Sequence, residues 1–398
     1  MLAVVAALAV APAVVAPPAP AQSLGERLDS ALTVSGVSRA RTGAFALERA
    51  TGRVVYGLHR NRSLAPASNQ KLAVALSVLD RLGPDHRIQT VVRGRGSLTG
   101  NTWQGRLILK GYGDPTLTGT DLRTLAVAVR NQGITRVTGR IVGDERYYDK
   151  RRTGDGWRAS WYKVESPPLS ALVVNRARVD GRTVDRPALA AARRFRAELR
   201  RSGVTVLGPA RTGRTPSGSV FLTRIRSAPA ATLVRSMNKR SDNFFAEMLV
   251  KHLGARMRDA GTTAAGCLVM RRVLAGRSVP LRGVRLADGS GLSLYNRFTA
   301  RSLGRLLESA WADPAVRQPF VASLPVAGVD GTLEDRMRRR PARGRVRAKT
   351  GTTSTASALS GYVGSRYLFS VLQNGSPIQW ENARRAQDRF AQALAGAL

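Results

Sequence analysis

Three short segments carry residue types able to transfer an acyl group: Ser68-Asn69-Gln70-Lys71, Ser241-Asp242-Asn243 and Lys349-Thr350-Gly351. A serine hydroxyl is a weak nucleophile until an adjacent base accepts its proton. The three histidines, His59, His86 and His252, are scattered, lack metal-ligand spacing and read as structural or exposed. No Gly-x-Ser-x-Gly elbow supports a Ser-His-Asp triad. A lysine three residues after the serine, on the same helix face, can serve instead. For that its pKa must fall through burial and a second cation, and Lys349 is the expected source of the cation. A helix N-terminus at Ser68 would also aim backbone N–H groups at developing negative charge.

Ser-x-x-Lys occurs three times, at Ser68/Lys71, Ser160/Lys163 and Ser236/Lys239. Ser160 is followed by Ser166-Pro167-Pro168, which breaks a helix there. Ser236 lies only five residues before Ser241, too close for the two to face each other across a cleft. Ser68 alone opens a sustained apolar run, LAVALSVLDRLG (72–83), ended by Gly83-Pro84. Lysine is scarce, with 7 residues in the chain, and Lys-Thr-Gly occurs once. It sits in a strand-like run, 346–352, where Gly351 lets a substrate backbone lie along the strand edge.

The elements that must hold these segments come from both ends of the chain. Residues 43–47 and 54–58 read as a β-hairpin about Ala50-Thr51-Gly52. Strand signals return at 345–349, 358–363 and 367–372, and an amphipathic helix at 381–394 follows. Helices are expected from Ala230, at 241–253, 264–274 and 299–311, with Thr299 as an N-cap. Between them, residues 88–226 change texture. Short β-like segments (89–93, 107–109, 140–142) alternate with helices at 121–132 and 188–201, as in an inserted mixed α/β domain. The expected fold class is α+β, a five-stranded antiparallel sheet built from both ends of the chain, with helices packed on it.

The chain has 398 residues and a net charge of +38, and all but 7 of its 64 basic residues are Arg. With 43% hydrophobic residues it is not generally disordered. The single cysteine, Cys267, excludes an intrachain disulfide framework and reads as a buried, inert thiol. Residues 2–15 are apolar but too short to span a membrane, and Ala19-Pro20-Ala21 resembles a signal-peptidase site. Residues 1–21 are thus expected to be a signal peptide, although no basic residue precedes Arg27. The arginines are spread along the chain, as a G+C-rich genome would spread them. Export and the lack of basic stripes or an aromatic platform argue against nucleic acid.

The three motifs, in this order, are the signature of active-site-serine penicillin-interacting enzymes. The likeness extends to MNKRSDNFFAEMLVKHLG (237–254), ADGSGLSLYNRFT (287–299), LPVAGVDGTLEDRM (324–337), GRVRAKTGT (344–352) and GYGDPTL (111–117). These resemble the D-alanyl-D-alanine carboxypeptidase/endopeptidase family, the low-molecular-mass penicillin-binding proteins of the penicillin-binding protein 4 type. The resemblance implies a penicillin-recognising, β-lactamase-like domain with helices on both sheet faces, formed by residues 22–87 and 227–398 and interrupted by an insertion at 88–226. It implies cleavage of D-Ala–D-Ala bonds and of cross-links in peptidoglycan stem peptides, without cofactor or metal, and covalent inhibition by β-lactams. Ser68 would be the nucleophile, Lys71 its base, Ser241 the proton relay to the leaving amine, and Asn243 a partner of the substrate backbone. Lys349, Thr350, Gly351 and Thr352 would bind the substrate's carboxylate end, and the N–H groups of Ser68 and Thr352 would form the oxyanion hole. Asp144 and Tyr148 would line the side-chain pocket. Leu294 stands where family members often carry Arg after DGSGLS, so the preferred side chain is open.

Two other readings remain. One is a secreted serine β-lactamase, whose class A form carries a deacylating Glu after Ser-Asp-Asn. Here Glu165 precedes Ser241, lies inside the insertion and reads as a coincidence. The other is a non-catalytic wall-binding protein whose basic surface holds an anionic wall polymer.

Overall fold

Two hairpin-forming runs more than 280 residues apart share one sheet. The computed structural model describes residues 22–398, with Ala3 alone of the preceding segment, so the expected signal peptide lies outside the described residues. Thr42–Glu48 and Val54–Leu58 pair antiparallel, as do Val346–Thr352, Ala356–Val363 and Tyr367–Asn374 in succession. Tyr367–Asn374 joins the two groups, with Thr42 opposite Gln373 and Glu48 opposite Tyr367. Val346–Thr352, which carries Lys-Thr-Gly, is therefore an edge strand.

Alternation divides the sheet's side chains between two cores. Phe45, Leu47, Ala358, Tyr362 and Leu372 face a helical body that includes Gln70–Leu82 and the helices from Ala230 to Ser323. Ala44, Ala46, Leu359, Val363 and Phe369 face the helices Leu24–Leu32 and Trp380–Ala395. Helices cover both faces, as the resemblance implies. Thr299 caps Ala300–Ala312 by accepting from Ser302 N at 3.0 Å. Two helices were not legible in sequence. Pro314–Ser323 starts on Pro314, tolerated at a first helical position, but also contains Pro319. Leu24–Leu32 is a short helix set by a Ser23/Glu26 capping box.

A second sheet occupies Gln89 to Arg226. Gln89–Thr99 and Thr102–Gly111 form a hairpin longer than the sequence pattern suggests. Ile141–Asp144 runs parallel to it, and helices Gly119–Arg130 and Pro187–Arg201 contribute Leu122, Leu125, Phe195 and Leu199 to its core. His86 and His252 meet with their Nε2 atoms 2.9 Å apart, and burial holds His252 down to about 3. Cys267 is buried, which pushes its thiol well above the ordinary value.

Candidate active site

Ser68 sits in a single 3₁₀ turn, Ala67–Asn69, that runs directly into the helix Gln70–Leu82. Every residue of that helix from Gln70 to Leu79 is buried, so it is a central helix, apolar on nearly all sides. Lys71 follows Ser68 by one turn, and its Nζ donates to Ser68 Oγ at 2.8 Å. The same amine donates to Asn243 Oδ1 at 2.8 Å and to Ser290 O at 2.6 Å. Three acceptors thus fix a fully buried ammonium at the nucleophile.

The Ser-Asp-Asn segment is the joint between two helices, Ala230–Arg240 and Asn243–Arg258. Ser241 takes a left-handed conformation (φ 54°) and ends the first helix, and its hydroxyl accepts from Lys349 Nζ at 2.9 Å. Asp242 caps the second helix through Phe245 N at 3.0 Å and is gripped by Arg176 at 2.7 and 3.3 Å. Asn243 is thereby placed as the first residue of its helix.

Lys349 is fully buried on the edge strand and also donates to its neighbour's carbonyl, Thr350 O, at 2.8 Å. Thr350 Oγ1 pairs with Thr332 Oγ1 at 2.7 Å. Gly351 is required by contact: a Cβ there would lie 3.0 Å from Ala67 Cβ, Pro66 O and Ser68 N. The strand therefore passes against the Ser68 N–H as the oxyanion-hole expectation demands. Thr352 Oγ1 is at the exposed end of the strand and accepts from Arg384 Nη2 at 3.3 Å.

Burial dominates the electrostatics of both amines. Burial lowers Lys71 to about 8, and the opposing influences are the carboxylates of Asp288, Glu247, Asp242 and Glu165. Burial, then the charge of Lys71, holds Lys349 well below the ordinary lysine value. Lys349 was expected to supply a cation that helps depress Lys71; burial is the leading cause at both amines, and like charge between them disfavours both being protonated.

Several residues at the site were not singled out from sequence. Asp288 is fully buried and accepts from Gly291 N (2.9 Å), Ser293 N (2.7 Å) and Trp157 Nε1 (2.9 Å), which shapes the DGSG turn. Glu247 accepts from Gly289 N (3.0 Å) and Ser290 N (2.8 Å) and so sets the carbonyl that holds Lys71. Burial and the charge of Asp288 push Glu247 up to about 8. Its sequence signal was available, since an acid four residues after Asn243 on an apolar helix shares its face. Glu165 read as a coincidence in sequence, yet its main-chain oxygen accepts from Asn243 Nδ2 at 3.1 Å.

Asp144 and Tyr148 are not brought to this cluster. The Asp144 carboxylate ends a strand of the second sheet and accepts from Arg146 N at 3.0 Å and Thr215 N at 2.8 Å. The Tyr148 hydroxyl donates to Met248 O at 3.0 Å, and its ring packs with Leu169, Phe244 and Met248. Asp144 is consumed within the insertion, and Tyr148 by the packing of the insertion on the helix Asn243–Arg258. A cleft of about 450 Å³ beside Ser68 is lined instead by Trp161, Leu292, Leu294, Arg297 and Thr353, among others.

A serine activated by a buried lysine between an antiparallel sheet and a helical body, with a second lysine on the sheet edge, defines the active-site-serine, penicillin-recognising class. The chain belongs to the D-Ala-D-Ala carboxypeptidase 3 (S13) family, whose model matches residues 24–184 and 177–396, and it is a serine-type carboxypeptidase of that family. It is 33% identical to a D-alanyl-D-alanine carboxypeptidase of Actinomadura sp., over 88% of this chain and 81% of that one. It is 31% identical to carboxypeptidase DacB of Mycolicibacterium smegmatis, over 83% and 75%. The fold matches penicillin-binding protein 4 of Haemophilus influenzae with a TM-score of 0.82 at 21% identity, covering 94% of this chain and 98% of that one. That protein has also been solved in complex with a β-lactam, matched with a TM-score of 0.77.

Proposed function

We propose that the protein is an exported D-Ala-D-Ala carboxypeptidase and endopeptidase that trims peptidoglycan stem peptides through an acyl-enzyme on Ser68. The observation that carries this reading is the 2.8 Å contact from a fully buried Lys71 amine to Ser68 Oγ. Neutral Lys71 takes the hydroxyl proton, and Ser68 Oγ attacks the carbonyl of the penultimate D-Ala. The oxyanion that forms faces the N–H groups of Ser68 and Thr352. The 2.9 Å contact between Lys349 and Ser241 supplies the relay that delivers a proton to the leaving amine. The substrate's terminal carboxylate meets Lys349 and the hydroxyls of Thr350 and Thr352. This restores to Lys349 the proton that burial discourages.

The rest of the stem peptide occupies the cleft beside Trp161, Leu292 and Leu294. Leu294 makes that wall apolar where an Arg would have offered charge. β-Lactams acylate the same oxygen, and the relative's β-lactam complex supports this. Export rests on residues 1–21, and among the described residues no helix is long and apolar enough to cross a membrane. The basic surface would add retention on an anionic wall polymer.

Labelling with a fluorescent penicillin tests the reading. The intact protein should label stoichiometrically, Ser68→Ala should not label, and only the intact protein should release D-Ala from a stem pentapeptide. Equal labelling of the two, or none in either, overturns it.

A further inference from the structure

The segment 157–166 belongs to the insertion, yet its Trp161 lines the cleft beside Ser68 and its Glu165 meets Asn243. Its placement does not depend on the Glu165 side chain. Trp157 Nε1 donates to Asp288, Tyr162 Oη and Lys163 Nζ both donate to Asp185, and Asn243 Nδ2 donates to the Glu165 main-chain oxygen at 3.1 Å. The Glu165 carboxylate is left over. Its Oε2 lies 3.5 Å from Asn243 Nδ2, and among the described residues no Lys or Arg forms an ion pair with it. The other end of the same amide, Asn243 Oδ1, accepts from Lys71 at 2.8 Å. A single amide group therefore separates an exposed carboxylate from the amine that activates Ser68.

Hydrolysis of an acyl-enzyme needs two proton transfers at once. The leaving Ser68 oxygen must receive a proton, and the amine 2.8 Å away is the group placed to give it. While Lys71 is protonated for that task it cannot accept a proton from water, so the water needs a second base. We propose that Glu165 is that base, and that it gives the protein a β-lactam-hydrolysing activity besides peptide cleavage.

In this step Glu165 takes one proton from water as the oxygen bonds to the ester carbonyl carbon. The tetrahedral intermediate collapses, the bond from carbon to Ser68 Oγ breaks, and Ser68 Oγ takes a proton from the Lys71 ammonium. Glu165 returns its proton to Lys71, and the product leaves as a carboxylate, releasing one proton to solvent. One water is consumed for each acyl group, and no co-reactant is needed.

The inference rests on Ser68 being the acylated residue, and the test separates the two. Glu165→Gln keeps the main-chain contact to Asn243 and removes only the base. The intact protein and the variant are acylated with fluorescent penicillin, freed of excess reagent and followed for loss of label. Acylation should not slow, since loss of this carboxylate favours the neutral form of Lys71, while loss of label slows about 100-fold in the variant, in the range a general base contributes. Loss of label at the same rate in both overturns the proposal. An equal slowing of acylation and deacylation also overturns it, because Glu165 would then act only as a prop for Asn243. If the intact protein takes up no label, the Ser68 reading itself fails, and the proposal with it.

Discussion

Lys71 and Lys349 are both sealed from solvent, and burial lowers both amines. Four carboxylates act on Lys71 and bring it back to about 8, against a burial penalty that would drive it lower. No carboxylate is among the causes acting on Lys349. In the proposed mechanism Lys71 must be neutral to act as the base, so at pH 7 only about a tenth of the molecules would hold it ready. The rate of acylation by a β-lactam should therefore rise nearly tenfold from pH 6 to 7 and level off above about pH 8. Stopped-flow labelling across pH 6–9.5 checks this, and a flat profile would show that Lys71 is not the titrating base. The residue types at this centre could be read from three short motifs. Their charge states could not, because Asp288, Glu247 and Glu165 come from three other parts of the chain.

At the scale of elements, the site depends on how closely the edge strand Val346–Thr352 approaches the 3₁₀ turn Ala67–Asn69. Gly351 makes that approach possible, and the neighbours of an added Cβ are main-chain atoms or a Cβ, none able to rotate away. Gly351→Ala is expected to move the strand outward by a few tenths of an ångström. Acylation should drop about 10- to 100-fold, since misplacement of that order weakens both the oxyanion hole and the Lys349–Ser241 contact. The melting temperature should change little, because the strand is at the sheet edge. A variant that acylates at the normal rate would show that the strand's distance from Ser68 is not critical. Gly291 meets a similar constraint: its φ is +89° and a Cβ would fall 1.9 Å from Ala67 O. The DGSG turn and the strand thus press on the same short turn from two sides. The helix and strand patterns were legible, since apolar spacing at 72–83 and alternation at 358–372 follow directly from burial. The cross-chain approach was not, because glycines at 291 and 351 are uninformative until their neighbours are known.

For the whole molecule, 26 acidic residues offset only part of the 64 basic ones, which leaves a net charge of +38. Arg178, Arg182, Arg186 and Arg193 line a cavity of about 710 Å³ near the start of the helix Pro187–Arg201, and none forms an ion pair among the described residues. Despite Asp180 and Asp185 on the same lining, such a surface would attract a polyanion through forces that salt screens. Retention on isolated cell walls should fall steeply as salt rises to about 0.5 M, where screening acts within a few ångströms. Hydrolysis of a soluble stem peptide should change far less, because its key amines are buried. If retention does not respond to salt, the arginines have no such role and reflect composition. The insertion adds a second whole-molecule effect. Its own sheet and core stand apart in sequence, yet Trp157, Glu165 and Arg176 reach from it to Asp288, Asn243 and Asp242. Cleft and catalytic body are therefore built together.

The acyl-transfer chemistry, the order of its motifs and the two-ended sheet could all be read from the linear chain. Each depends on local spacing: three residues bring Ser68 to Lys71 across one helical turn, and period-two alternation marks a buried strand. The membership of the pocket could not be read that way. Asp144 and Tyr148 were expected there, but folding commits them to Thr215 and Met248, whereas Glu165, set aside on its position in sequence, arrives beside Asn243. Long-range packing brings such residues together at sequence separations of about 70 to 100, and no periodicity spans that distance. Only the three-dimensional arrangement could show which carboxylates surround Lys71.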